Sequence, residues 1–464
     1  MSTYRLNSPR RAPVTQEYKA YHGRNIREIP QISRLSKELL FDIDVVSKVF
    51  PFKVNNFVND TLIDWSAVPD DPIFALTYPQ RGMLSATDFN AVADCLISGA
   101  DPNALQTIVE RIRASLNPHP AGQREFNVPF MNGQPLRGIQ HKYRETVLFF
   151  PSQGQTCHAY CTFCFRWPQF VGASAARFAS RETGELIAYL KQHPEITDVL
   201  FTGGDPLIMS ARVLAAYVQP LLDADLPQLQ RIRFGTKALT YWPYRFVTDG
   251  DTLELMALFR RVLRAGKHLA LMAHFNHPRE LEPPVVREAI ANLREVGVEI
   301  RTQSPLLRNI NADPALWQTL WQTLWRHQVN LGCIPYYMFL SRDTGAHAYF
   351  SVPLIEAWKI YRAAIGGVSG LSRTVRGPSM SATPGKVEVL GVTEMRGEKV
   401  ISLRFLQGRN PDWVMRPFFA HYDEEATWLD ELRPAFGAPS FFYTDEMARR
   451  DACFDNGCAS AETE

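Results

Sequence analysis

Apolar and polar positions change rhythm along the chain. Over residues 31–120 the apolar positions recur at helical spacing, most clearly in SRLSKELLFDIDVVSKVF and LSATDFNAVADCLISG, and predict amphipathic helices. A Pro- and Gly-rich stretch, NPHPAGQREFNVPFMNGQPLRG, then reads as a linker. From about 145 to 366 short apolar runs alternate with longer amphipathic ones. TVLFF (146–150), DVLFT (198–202), IRFGT (232–236), LALMAHF (269–275), EIRTQS (299–304) and LGCIPYY (331–337) predict strands. ETGELIAYLKQH, ARVLAAYVQPLL, DTLELMALFRRVLRAG, PPVVREAIANLREVG, ALWQTLWQTLWRHQ and VPLIEAWKIYRAAIGG predict the helices between and after them.

Such alternation argues for parallel βα units with right-handed crossovers, and six units predict an α/β fold built on a partial or complete βα barrel. Polar residues gather just after the strand runs: Cys157–Cys164, Gly203–Asp205, Lys237, His274 to His277, Gln303 and Arg342. That is the C-terminal mouth of the strands, where βα barrels place their chemistry. The expected organisation is an N-terminal arm and helical extension (1–140), a (βα)6 barrel (141–366) and an irregular, partly β C-terminal extension (367–464).

Composition narrows the function. The 464 residues carry 50 Lys+Arg against 48 Asp+Glu, a net charge of +2, so no bulk electrostatic footprint for nucleic acid exists. No run of 18 apolar residues predicts a membrane span, and the N-terminus lacks the apolar core of a secretory signal. Seven cysteines, an odd number, argue against a secreted disulfide framework and for a reducing, cytoplasmic setting. Trp317, Trp321 and Trp325 recur at every fourth position and read as a packing stripe rather than a base-stacking surface.

Three of the cysteines, Cys157, Cys161 and Cys164, share one short loop with the spacing C-x3-C-x2-C. Thiolates are soft ligands for iron–sulfur clusters or zinc. Three on one loop can hold three irons of a [4Fe–4S] cube and leave the fourth iron open to a chelating molecule. A structural zinc with His158 or a distant cysteine as fourth ligand is the other reading. It is weakened because no second ligand pair follows at zinc-site spacing. Gly203-Gly204-Asp205 follows the second strand. Its glycines allow close backbone approach, and its carboxylate can accept from an ammonium.

This combination resembles the radical S-adenosylmethionine (SAM) superfamily. The resemblance implies a [4Fe–4S] cluster on the three cysteines, with SAM chelating the open iron. The cluster then donates an electron, SAM splits, and a 5′-deoxyadenosyl radical takes a substrate hydrogen. It also implies that Gly203, Gly204 and Asp205 serve the amino group of SAM. His141-Lys142-Tyr143, LFTGGDPL, AHFNHPREL, TQSPLLRNIN, PYYMF and Thr383-Pro384-Gly385-Lys386 occur in the order seen in lysine 2,3-aminomutase, over roughly 30–390.

That narrower resemblance implies that His274 and Gln303 line the SAM site. Lys386 would form a Schiff base with pyridoxal 5′-phosphate (PLP), Arg166 would grip the substrate α-carboxylate, and Lys142 and Tyr143 would lie near PLP. The positions of two aspartates that hold the lysine ε-ammonium in lysine-specific members fall on Arg342 and Ala382. Two like charges about 4 Å apart at an effective dielectric near 20 repel by about 4 kcal/mol, so the substrate expected is an acidic or polar amino acid such as glutamate rather than lysine. Asp343 is the residue that a one-position slip would substitute. The family's C-terminal zinc cysteines have only Cys453 and Cys458 as counterparts.

The expected partners are a small amino-acid substrate and an electron donor such as flavodoxin or ferredoxin, with homo-oligomerisation admitted and neither nucleic acid nor membrane. Two rival readings stand beside this one: a PLP-independent radical SAM enzyme acting on an amino-acid-like molecule, and a non-enzymatic zinc-binding or interaction protein.

Overall fold

The structure is a computed structural model that describes residues 16–118, 125–171, 178–312 and 329–455. The tryptophan stripe and Cys458 lie outside these residues, as does the side chain of Cys453.

The N-terminal extension is helical where the apolar spacing predicts it. Ser36 caps the helix Lys37–Val49 through the Leu39 amide, and Ser85 caps Ala86–Ser98 through the Asp88 amide. Gly99, at a φ of 64°, ends the second helix in the left-handed conformation. Two short strands, β1 (Ala20–His22) and β2 (Lys53–Asn55), pair antiparallel in this extension. The stretch read as a linker carries a minimal hairpin, β3 (Phe130–Met131) and β4 (Gln134–Pro135).

One eleven-stranded sheet follows in chain order, from β5 (Ile139–Tyr143) to β15 (Pro417–His421). Its centre is β6 (Thr146–Phe149), β7 (Asp198–Phe201), β8 (Arg231–Thr236), β9 (His268–His274), β10 (Glu299–Leu306), β11 (Ile334–Leu340) and β12 (Arg376–Ser381), each parallel to the next. Among the described residues, helices Gly184–Gln192, Ala211–Asp223, Thr252–Arg264 and Pro284–Val296 return the chain between β6 and β10, and Leu354–Gly366 returns it after β11. Their apolar stripes bury Leu186, Leu214, Phe259 and Ile290. Side chains from β5 through β11 line a single cavity of about 860 Å³, so the sheet curls around it as a partial barrel with β5 and β15 at its two edges.

Two local expectations shift. The sixth predicted strand starts at Ile334 rather than residue 331, because Gly332 adopts a φ of 79°, which breaks an extended run. β5 was not predicted: IQHKY is too short and too polar to stand out, yet it pairs antiparallel with β6. After residue 366 the chain extends the same sheet. β13 (Gly385–Met395) and β14 (Glu398–Gly408) form a long hairpin between β12 and β15. Among the described residues no helix is long and apolar enough to cross a membrane.

The N-terminal extension is clamped to the barrel. Fully buried Asp71 caps Pro72–Thr77 by accepting from the Ile73 and Phe74 amides, at 2.9 and 2.8 Å. Its other oxygen pairs with Arg279, in the turn after β9. Removing one partner of a buried ion pair costs about 3–5 kcal/mol. Asp71→Ala is therefore expected to lower the thermal midpoint, and Asp71→Asn, which keeps one cap acceptor, to lower it less. Calorimetry of the two variants checks the order.

Candidate active site

The three-cysteine loop leaves β6 and crosses the mouth of the barrel. Backbone bonds hold it from outside: the Tyr160 amide donates to Lys53 O at 2.8 Å, and the Thr162 amide to Leu76 O at 3.0 Å. From inside, the Asp205 amide donates to Thr156 O at 2.7 Å. Gly203 and Gly204 make this approach possible. A Cβ on Gly204 would overlap the Thr156 backbone, and one on Gly203, at a φ of 130°, would overlap the Gln155 side chain. The glycines thus fit one loop to another.

Asp205 is equally committed. Its carboxylate accepts from Thr236 Oγ1 at 2.9 Å, the Lys237 amide at 2.8 Å and the Leu207 amide at 3.0 Å. It ties the β7 turn to the β8 turn. Lys237 then donates to Glu280 Oε1 at 2.6 Å and Asn276 Oδ1 at 2.9 Å, joining the β8 and β9 turns. Sequence reading marked Lys237 only as a mouth residue and did not anticipate Glu280, whose partner is 43 positions away.

Cys157, Cys161 and Cys164 all open onto the cavity, and burial pushes each thiol up, Cys161 to about 12. Tyr241 lies behind Cys161, with its hydroxyl 3.6 Å from Sγ. His274, at the end of β9, and Gln303, within β10, are paired in register on adjacent strands, and their side chains meet at 2.7 Å. Burial, then Lys237, holds the imidazole down at about 3, so His274 is neutral. His158 is also buried, with its imidazole pushed down to about 3 and its Nδ1 without a hydrogen-bond partner among the described residues.

The far side of the cavity is cationic. Lys386, on β13, donates to Gln407 Oε1 at 3.1 Å and stands 3.9 Å from the Tyr337 ring centroid. Burial first, then Arg376 and Arg233, bring its amine down to about 7. Arg166 and Arg342 flank one ring, Phe165, at 5.0 and 4.7 Å. Burial and the neighbouring Arg342 bring Arg166 down to about 10. Arg342 donates to Ser381 O and Lys142 to Ala382 O, so both cations sit on adjacent carbonyls. Burial, with Arg409, Arg342 and Lys386, holds Lys142 well below its ordinary range. Among the described residues no carboxylate is hydrogen-bonded to Arg166, Arg342, Lys142 or Lys386, and Arg166 has no hydrogen-bonded side-chain partner at all.

The cavity therefore gathers every site residue singled out from the sequence: Cys157, Cys161, Cys164, Arg166, Gly203, Gly204, Asp205, His274, Gln303, Arg342 and Lys386. Gln407 was missed. No sequence signal marks it, and only the β13–β14 register sets it opposite Lys386.

An open βα barrel with a three-thiol loop after its first parallel strand is the arrangement expected from the resemblance to the radical SAM superfamily. A protein of Aquifex aeolicus assigned as an L-lysine 2,3-aminomutase is 30% identical over 406 residues, 88% of this chain and 92% of its own. The chain belongs to the lysine 2,3-aminomutase family. The L-lysine 2,3-aminomutase of Haemophilus influenzae is 29% identical over 239 residues, 52% of this chain and 65% of its own. Streptococcus suis SuiB bound to S-adenosylmethionine superimposes with a TM-score of 0.33 and 12% identity over 60% of this chain and 56% of that one. No protein-family model matches the chain. Family membership favours an enzyme over the reading of the chain as a non-enzymatic zinc-binding or interaction protein.

Two outcomes follow from this geometry. Gly204→Ala should fold but fail to assemble an iron–sulfur cluster, because the added methyl drives the two loops apart; iron and sulfide analysis checks it. PLP trapped with borohydride should label Lys386. Only the neutral amine attacks an aldehyde, so a depressed pKa makes labelling rise with pH and reach half its maximum near pH 7, against the range above 10 for a solvated lysine. Peptide mapping across a pH series reads both site and midpoint.

Proposed function

We propose that the protein catalyses a PLP-dependent 2,3-amino shift on an amino acid with an anionic side chain, glutamate being the type substrate. The observation that carries this reading is the basic half of the cavity, where the guanidinium groups of Arg166 and Arg342, beside the amine of Lys142, have no hydrogen-bonded carboxylate among the described residues, Asp343 being an electrostatic neighbour of Arg342.

The residues fit the groups that the family implies. Three desolvated thiols open on one cavity suit a [4Fe–4S] cluster, and the glycine cradle leaves no slack in their loop. A lysine amine near pH 7 in a buried cavity suits an imine. When bound, the cluster and SAM supply a hydrogen-abstracting radical. PLP supplies a π-system that spreads an unpaired electron.

This chain's own part is binding and orientation. Arg166 and Arg342 offer guanidinium forks to two carboxylates, and both lie against the Phe165 ring. Lys142, a further basic group on the wall that an arriving anion would help to protonate, suits a phosphate. Gln407 holds the Lys386 amine on the Tyr337 face, which limits its rotation. The neutral His274–Gln303 pair offers hydrogen bonds without adding charge. A lysine substrate would place its ammonium against Arg342, at about 4 kcal/mol or roughly a thousandfold at an effective dielectric near 20.

The test is an anaerobic competition among the common amino acids with SAM, PLP and reductant, read by mass spectrometry. Glutamate or another anionic or neutral polar amino acid should outcompete lysine. Arg342→Asp should weaken that substrate and relieve part of the exclusion of lysine, and Cys161→Ser should abolish all turnover. Preference of the wild type for lysine would overturn the assignment of Arg342. Turnover without PLP and without a label on Lys386 would favour the PLP-independent reading.

A further inference from the structure

Among the described residues Lys53 is a buried cation without a paired carboxylate. It lies on β2 in the N-terminal extension, is 7% exposed, and points at the cysteine loop. Its ammonium donates to Cys157 O at 2.6 Å and reaches Thr156 Oγ1 at 3.4 Å. The rings of Tyr18 and Tyr160 lie 6.0 and 5.9 Å away. Asn55, two residues on, donates to His158 O at 3.2 Å, so the same strand grips the loop twice. Among the described residues no carboxylate pairs with Lys53, whereas Lys237, a half-buried lysine of the mouth, has Glu280.

A buried charge left unpaired costs several kcal/mol, and lysines are rarely buried without a counter-charge. The ammonium is bonded to the carbonyl of Cys157, one of three cysteines on a loop suited to a cluster, so it lies beside the place that the cluster would take. Three thiolates and a [4Fe–4S] core together carry net negative charge. Hydrogen bonding alone does not call for a lysine here, because a neutral donor would satisfy the carbonyl.

We infer that the N-terminal extension contributes Lys53 as the counter-charge of the iron–sulfur cluster, coupling the docking of the extension to cluster retention and reduction. Lys53 is a positioning and electrostatic residue acting through the Cys157 loop. The inference rests on the cluster reading of the three cysteines. Reduction adds negative charge beside this cation, so the ammonium stabilises the reduced form more than the oxidised one.

The test uses full-length protein, with and without reconstituted cluster, as wild type, Lys53→Arg, Lys53→Gln and Lys53→Met. The gain in thermal midpoint on cluster loading is measured for each, together with the cluster's midpoint potential by EPR-monitored titration. Lys53→Gln keeps a donor but not the charge. The expected result is a smaller loading gain and a lower potential in both neutral variants, with Lys53→Arg close to wild type. A tenfold loss in the reduction equilibrium would read as about 59 mV for one electron. If Lys53→Gln matches wild type in both readouts, or the neutral variants lose stability equally with and without cluster, the residue is merely structural and the inference falls. Failure of wild type to assemble a cluster would instead defeat the reading of the cysteines.

Discussion

The site depends on a contact with no room in it. Where the cysteine loop passes over the β7 turn, the Asp205 amide meets Thr156 O, and neither Gly203 nor Gly204 can carry a side chain. That fit fixes the loop against the strand ends. It then passes from turn to turn: Asp205 holds Thr236 and the Lys237 amide, Lys237 holds Glu280, and Glu280 accepts from the His277 amide. Each bond is buried or half-buried, where polar groups left unpaired are costly, so the mouth loops are set as one unit rather than singly.

Around this frame the charges divide. At the cluster end the lysines are either paired within the protein, as Lys237 with Glu280, or held on the backbone of the cysteine loop, as Lys53 is on Cys157 O. On the opposite wall cations accumulate on main-chain carbonyls and aromatic rings. Deeper in the barrel, Arg233 is paired with Asp198 at 2.8 Å. Among the described residues basic groups without a hydrogen-bonded carboxylate gather at Arg166, Arg342, Lys142 and Lys386, and a ligand bringing anionic groups there would complement them.

Much of this was legible in the sequence, for identifiable reasons. The βα rhythm is a strong periodic signal because each element buries one face, and it located the parallel core strands from β6 to β11, with β11 displaced by Gly332. The cysteine spacing and the glycine pair are local, so their neighbourhood could be read directly. The role of the glycines could not, since the chain that they accommodate lies about 50 residues earlier. Gln407, Glu280 and Lys53 were invisible for the same reason. Each is an ordinary polar residue whose partner is set by strand register or loop crossing. The C-terminal strands were foreseen only as partly β, because the hairpin β13–β14 is punctuated by glycines and charges.

On this reading one cavity joins a radical-generating cluster to an anionic amino acid. Transfer of label tests it most directly. Cluster-loaded protein would be incubated anaerobically with SAM, PLP, reductant and glutamate deuterated at C3, and the 5′-deoxyadenosine analysed by mass spectrometry. The account predicts deuterium in that product. Unlabelled 5′-deoxyadenosine from glutamate, with label arriving only from deuterated lysine, would contradict it.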